Sequence, residues 1–245
     1  QRFEPGTYRK ILTFGGCWSN HLHASAAFAY ALDIPLTCLV RGYSTVPLTP
    51  TLQDCANWGA DLVFLNKQEY ARRYDSGYQE ELAQLHDALV IPEGGAGEAG
   101  ELACFELARF VQHYDECWLA AGSGTTALGI ARGLQALRAK TRLVAVNAVA
   151  DKGELDSAWQ HEMPAGVAWQ VVDGALGGFA RQTPELQELI ERYQALGLPL
   201  DRVYTGKLML AYERAAQGQG MQRQLDVWPT APSFQKNPPK GPGRA

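Results

Sequence analysis

An alternation constrains this chain more than any other feature. Seven short apolar runs, at 11–14, 36–40, 62–65, 89–91, 117–120, 143–146 and 168–172, are each too short for a buried helix, and most are separated by segments long enough for one. Such runs, bounded by turn residues, predict buried strands. Strands alternating with helices predict an α/β fold of mostly parallel sheets covered by helices, because a parallel neighbour is reached only through a crossover. One helix start is explicit. In Thr183-Pro184-Glu185 the threonine is placed to cap, the proline to open the first turn and the acid to face the positive helix end, with a stop after about Leu196 at Gly197. A chain of 245 residues that is 46% hydrophobic holds enough core for one large α/β domain or two small ones.

Charge and composition remove several function classes. With 22 basic and 26 acidic residues the formal charge is −4, which gives no electrostatic case for nucleic acid. No apolar run approaches a membrane span and no signal peptide is visible, so a cytoplasmic protein with no membrane partner is expected. Gln1 is not an initiator methionine, so a translated start upstream is expected. The five cysteines, Cys17, Cys38, Cys55, Cys104 and Cys117, form no CxxC pair and read as reduced thiols. His21, His23, His86, His113 and His161 lack metal-ligand spacing, so no metal site is expected. The segment from Val227, "VWPTAPSFQKNPPKGPGRA", is proline-rich, basic and without acids, and reads as a disordered tail over 227–245.

Three stretches carry candidate chemistry. In "GGCWSNHLHASAAFAYAL" (15–32) a strand, a Gly-Gly turn and Ser19-Asn20 precede an alanine-rich helix. Free amides at such a start favour a carboxylate or phosphate, although Ser19 or Asn20 serving only as a cap accounts for the pattern equally well. In "CWLAAGSGTTALGIARGL" (117–134) a strand ends in Gly122-Ser123-Gly124-Thr125-Thr126 before a helix. Small residues there let amides approach a phosphate monoester closely. The stretch has no P-loop lysine and no full GxGxxG, and Lys140-Thr141-Arg142 stands where a dinucleotide site would need an acid for the ribose. In "VYTGKLMLAY" (203–212) Tyr204 and Thr205 precede a helical pattern, and a tyrosine there is either packing or, with a lowered pKa, a proton shuttle.

Taken in order, "LTFGGCWSNHLHASAA", "IPEGG", "AAGSGTTALG", "TPE" and "VYTGK" resemble the 1-aminocyclopropane-1-carboxylate deaminase and D-cysteine desulfhydrase family, pyridoxal-phosphate enzymes of the tryptophan-synthase β fold. The resemblance spans roughly residues 8 to 218. It implies pyridoxal 5′-phosphate held between a small α/β domain at 8–98 and a larger one at 99–226 that includes 1–7 and is incomplete. It implies catalytic roles for Ser19 and Tyr204, with Ser19 in proton transfer, and a substrate-carboxylate site at Ser19, Asn20 and His21. It also implies cofactor contacts from Asn20, from Gly122, Ser123, Gly124, Thr125 and Thr126 to the phosphate, and from Thr205 near the pyridine ring. A small amino acid as substrate and a homodimeric assembly follow from the same resemblance.

The departures from the family also inform the reading. Relatives carry the Schiff-base lysine in a G-N-K-x-x-K-L-type segment upstream of the run at 11–14, and neither Lys10 nor Lys207 matches it. Relatives end in a His-Thr-Gly-Gly turn where this chain has its proline-rich tail, and they often read Gly-Tyr-Gly where this chain has Gly178-Phe179-Ala180. The sequence therefore reads as the middle of a pyridoxal-phosphate lyase or deaminase. The expected reaction is β-elimination from D-cysteine to pyruvate, ammonia and sulfide. Deamination of 1-aminocyclopropane-1-carboxylate ranks second, because those enzymes commonly carry glutamate where Thr205 stands. A non-catalytic remnant binding phosphate-bearing ligands is the remaining alternative. The upstream reading frame would separate these.

Overall fold

The computed structural model describes residues 8–44, 47–150, 152–178 and 180–218. The tail expected from Val227 and the residue Phe179 lie outside the described residues.

The first half runs β1 (Lys10–Gly16), α1 (Asn20–Ala31), β2 (Leu36–Arg41), α2 (Pro50–Asn57), β3 (Asp61–Leu65), α3 (Lys67–Ala71), α4 (Ser76–His86) and β4 (Ala88–Ile91). Its four strands are all parallel, in the order β3-β2-β1-β4. Ile11 of the central β1 stands between Leu36 of β2 and Leu89 of β4. Successive strand residues face opposite ways. Ile11 therefore packs with Leu22, Ala26 and Leu52 under α1 and α2, while Leu12 and Phe14 pack with Tyr70 and Leu82 under α3 and α4. Coverage on both faces explains why these runs are continuously apolar rather than alternating.

The helix starts follow local chemistry. The Leu22 amide donates to Ser19 Oγ at 3.2 Å and the Leu52 amide to Thr49 Oγ1 at 3.3 Å. Asn66 and Glu69 form a reciprocal capping box. Gly15 is required by close approach: a Cβ there would stand 2.5 Å from Leu22 Cγ and 2.8 Å from Ser19 Oγ.

A 3-10 turn at Glu93–Gly95 leads into α5 (Glu98–Phe105), α6 (Ala108–Val111), β5 (Glu116–Ala121), α7 (Thr125–Leu137), β6 (Arg142–Asn147), α8 (Glu154–Glu162), β7 (Trp169–Asp173), α9 (Pro184–Ala195) and α10 (Thr205–Gly218). The strands form a second parallel sheet, β5-β6-β7. Ala127 and Leu128 of α7 pack with Leu155 and Trp159 of α8 on one face, and Leu186, Leu189, Met209 and Leu210 of α9 and α10 form a second cluster against Trp118.

All seven apolar runs are strands, within one or two residues of the expected ends. The α9 start also matches: Thr183 Oγ1 accepts from the Leu186 amide, Pro184 opens the helix, and Gly197 follows its end at φ +80°. The sequence thus has the expected mostly parallel α/β architecture. Among the described residues, no helix is long and apolar enough to cross a membrane.

Candidate active site

Parallel sheets leave their ligand sites where the strands end and the following helices begin. A cavity of about 1860 Å³ opens there, lined by Gly16 and Arg41 beyond β1 and β2, by Gly122 and Ser123 beyond β5, by Val149 and Ala150 beyond β6, and by Tyr204 and Thr205 at the start of α10. Ser19, Asn20, His21, Glu93 and Thr126 also line it. The structure thus brings both helix mouths singled out in the sequence to one space.

The two mouths differ in how their amides are used. At α1, Ser19 Oγ accepts the Leu22 amide, so Ser19 is the N-cap; its hydroxyl proton remains to be donated, and the amides of Asn20 and His21 have no helical acceptor. At α7 the cap is Gly124, in the left-handed region at φ +84°, and no side chain caps the helix. The amides of Thr125, Thr126 and Ala127 precede the first intrahelical bond, from Leu128 to Gly124 O.

Within 122–126 the residues divide into two groups. Gly122, Ser123 and Thr126 line the cavity, whereas Gly124 and Thr125 lie behind it. Thr125 is buried, with its hydroxyl 3.1 Å from Ser123 Oγ. Gly124 rests on α8: a Cβ would stand 2.9 Å from both Leu155 Cδ1 and Trp159 Nε1. That indole N–H is buried and has no hydrogen-bond partner among the described residues.

His21 is held in one tautomer. Thr13 Oγ1 donates to Ile91 O at 2.8 Å, so at 2.7 Å from His21 Nε2 the same oxygen accepts the imidazole proton. Burial pulls the His21 pKa below its ordinary 6.5, against the pull of Glu93, so the ring is neutral. Folded His21 resists protonation, so stability is expected to fall as pH drops below about 6.5 toward the depressed value. His21→Gln, which keeps a donor for Thr13, should flatten this part of the profile. Melting temperatures of both proteins between about pH 5 and 7.5 check this; parallel curves would contradict it.

A cluster not read from the sequence forms one wall. The Glu93 carboxylate accepts from Tyr70 OH at 2.6 Å, Tyr74 OH at 2.9 Å and Arg73 Nε at 2.5 Å. Arg73 also stacks over both rings, 4.5 and 3.9 Å from their centroids. Although burial opposes ionisation, the three donors together hold Glu93 below the ordinary carboxylate value. Tyr70, Arg73 and Tyr74 share the i, i+3, i+4 spacing of one helical face, the one signal that marks them.

Tyr204 packs near the α7 mouth; a Cβ on Gly122 would be 3.3 Å from its ring. Burial, reinforced by Asp201 and Glu93, pushes its phenol up to about 12, opposite to the lowering that proton shuttling asks for. The phenol is therefore held in its protonated, neutral form. Asp201 builds the α10 start: Oδ1 accepts from the amides of Val203 and Tyr204, and Oδ2 accepts from the Thr205 amide at 2.9 Å and its hydroxyl at 2.6 Å. The Thr205 oxygen also accepts from the Asp201 amide at 2.8 Å. With its proton donated to Asp201, that oxygen retains only a lone pair for another partner.

The profile of a family described as pyridoxal-phosphate dependent enzymes matches residues 3–222. The chain belongs to that family. Among curated relatives of this pyridoxal-phosphate enzyme, a mitochondrial bifunctional D-cysteine desulfhydrase/1-aminocyclopropane-1-carboxylate deaminase of Arabidopsis thaliana is 28% identical over 230 residues, 80% of this chain and 56% of the relative. The chain thus spans little more than half of that relative's length. A crystal structure of an "ACC deaminase homologue" superimposes with a TM-score of 0.72 at 23% identity, covering 86% of this chain and 70% of the other. Serine racemase from Dictyostelium discoideum shares the fold at a TM-score of 0.54 and 13% identity, covering 89% and 74%. The residues present fit the family's cofactor. An uncapped helix start floored by a glycine, with two hydroxyls beside it, suits a phosphate ester.

Proposed function

We propose that this chain forms the phosphate- and substrate-binding part of an enzyme that eliminates the thiol of D-cysteine, giving pyruvate, ammonia and sulfide with uptake of one water. The observation that carries this reading is the convergence of two helix mouths on one cavity. A cofactor phosphate and an amino-acid carboxylate are two anions, and each mouth offers amides to one.

In this reading the phosphate takes the amides of Thr125, Thr126 and Ala127 with the hydroxyls of Ser123 and Thr126. The substrate carboxylate takes the amides of Asn20 and His21. When bound, the cofactor supplies the electron sink that lets the substrate's α-proton leave. Asn20 would hold the ring's oxygen substituent, and the Thr205 oxygen, its proton committed to Asp201, would offer the ring only a lone pair. Ser19, its oxygen fixed by the Leu22 amide, directs its hydroxyl proton at the substrate. Tyr204 stays protonated and donates a hydrogen bond beside it. His21, committed to Thr13 and neutral, serves the site through its backbone amide rather than as a cation.

The Arabidopsis relative's name couples desulfhydrase and deaminase activities. The uncharged Thr205, where deaminases commonly carry glutamate, favours thiol elimination over ring opening. We take residues 8–98 as the smaller domain, 99–226 as the larger, and a cytoplasmic homodimer as the working unit. The test is to supply a version that carries the Schiff-base lysine segment, together with cofactor, with D-cysteine, L-cysteine or 1-aminocyclopropane-1-carboxylate and measure sulfide, pyruvate and ammonia. Sulfide and pyruvate in equal amounts, fastest from D-cysteine, are expected. Ammonia released faster from the cyclopropane would overturn the assignment.

A further inference from the structure

Lys207, the third residue of α10, is 1% exposed. Its ammonium donates to three backbone carbonyls, Ala148 O at 2.9 Å, Ala175 O at 3.2 Å and Gly178 O at 3.2 Å. Three protons meet three acceptors, so its donor capacity is used. A buried charge ordinarily pairs with an opposite charge. Here the acceptors are neutral dipoles, and Asp173 and Asp201 act on the lysine at longer range, partly offsetting the downward pull of burial on its pKa.

Carbonyl oxygens converging from separate loops on one buried positive charge are the donor set that replaces the hydration shell of a potassium-sized ion. Ala148 follows β6, and Ala175 and Gly178 follow β7. Val149 and Ala150, next to Ala148, line the cavity, as do Tyr204 and Thr205, three and two residues before Lys207. The ammonium therefore ties three segments behind one wall of the cavity.

We propose that the carbonyls of Ala148, Ala175 and Gly178 form a monovalent-cation site that Lys207 fills from within the chain, and that this tethered cation positions the cavity wall. The inference stands on this geometry alone and does not depend on the proposed reaction. It makes the native protein indifferent to potassium and ammonium. Lys207→Ala empties the site and leaves room for a small cation. Lys207→Met keeps an apolar side chain in the same space and leaves no room.

The test compares melting temperatures of the native chain and both variants in tetramethylammonium chloride, then in potassium, ammonium or methylammonium chloride at equal ionic strength. The native protein should melt at one temperature throughout. Both variants should melt about 10 °C lower in tetramethylammonium, because three charge-assisted hydrogen bonds are lost, Ala148 O losing its ammonium donor while Ala175 O and Gly178 O keep only the amides of Gly178 and Arg181. Lys207→Ala should recover half or more of that loss, saturably, at about 100 mM potassium, ammonium or methylammonium, as a site-bound ligand would produce. Lys207→Met should recover none. Should Lys207→Ala fail to fold in tetramethylammonium, folding only on addition of a small cation supports the site, and folding in none overturns it. A Lys207→Ala protein as stable as the native one, equal stability of that variant in every salt, or equal recovery by Lys207→Met also overturns it.

Discussion

In a version that carries the Schiff-base lysine segment, Gly124→Asp is expected to abolish cofactor retention. The substitution places a carboxylate at the start of α7, which carries no side-chain cap and where Gly122, Ser123 and Thr126 border the cavity. A like charge beside a bound phosphate costs several kcal/mol, more than 10²-fold in affinity. The side chain is also strained at φ +84°, and its Cβ would press on Leu155 and Trp159 at 2.9 Å. Gly124→Asn separates charge from shape, because asparagine tolerates the left-handed region and carries no charge. Cofactor occupancy after dialysis, measured with the melting temperature of the same samples, should fall far more for Asp than for Asn. Full occupancy in a folded Gly124→Asp protein would show that the phosphate lies elsewhere.

In a version that carries the Schiff-base lysine segment, Ser19→Ala should slow turnover by about 10²–10⁴-fold, the usual cost of losing a proton-transfer group, and leave cofactor affinity almost unchanged. Ser19 also caps α1, so the variant should lose about 1 kcal/mol of stability whatever its chemical role. Stability alone cannot separate the two roles; turnover per folded molecule does. Asn20→Ala should show the opposite pattern, with a weaker cofactor complex and altered cofactor absorbance before any change attributable to the substrate. A destabilised but fully active Ser19→Ala protein would reduce the Gly-Gly-Ser-Asn stretch to architecture.

Both mouths were legible in the sequence because each is local. A run, a glycine turn and a small polar pair fix the start of α1 within a few residues, and "GSGTT" does so for α7. The strands were legible for a related reason: burial on both faces makes each a continuous apolar run. Other features had no local signature. Glu93 meets Tyr70, Arg73 and Tyr74 across about twenty residues of chain, through the pairing of β4 with β1 and the packing of Tyr70 on Phe14. The acceptors of Lys207 lie 29 to 59 residues away and are backbone atoms, to which side-chain patterns are blind. The roles of Gly124 and Thr125 were legible only in part, since strand–turn–helix spacing does not show that Trp159 of α8 lies beneath them. The upward shift of Tyr204 likewise depends on burial and on Asp201 and Glu93, which sequence spacing does not reveal.

The central claim, that the α7 mouth holds the phosphate of the cofactor, is tested most directly by comparing two ligands that differ only in that group. Tryptophan-fluorescence titrations of the chain with pyridoxal 5′-phosphate and with pyridoxal should give saturable binding of the first, about 10²-fold tighter than the second and displaced by inorganic phosphate, since hydrogen bonds to a charged group contribute about 1.5–3 kcal/mol each. Equal affinities for the two, or no binding of the phosphorylated form, would contradict the account.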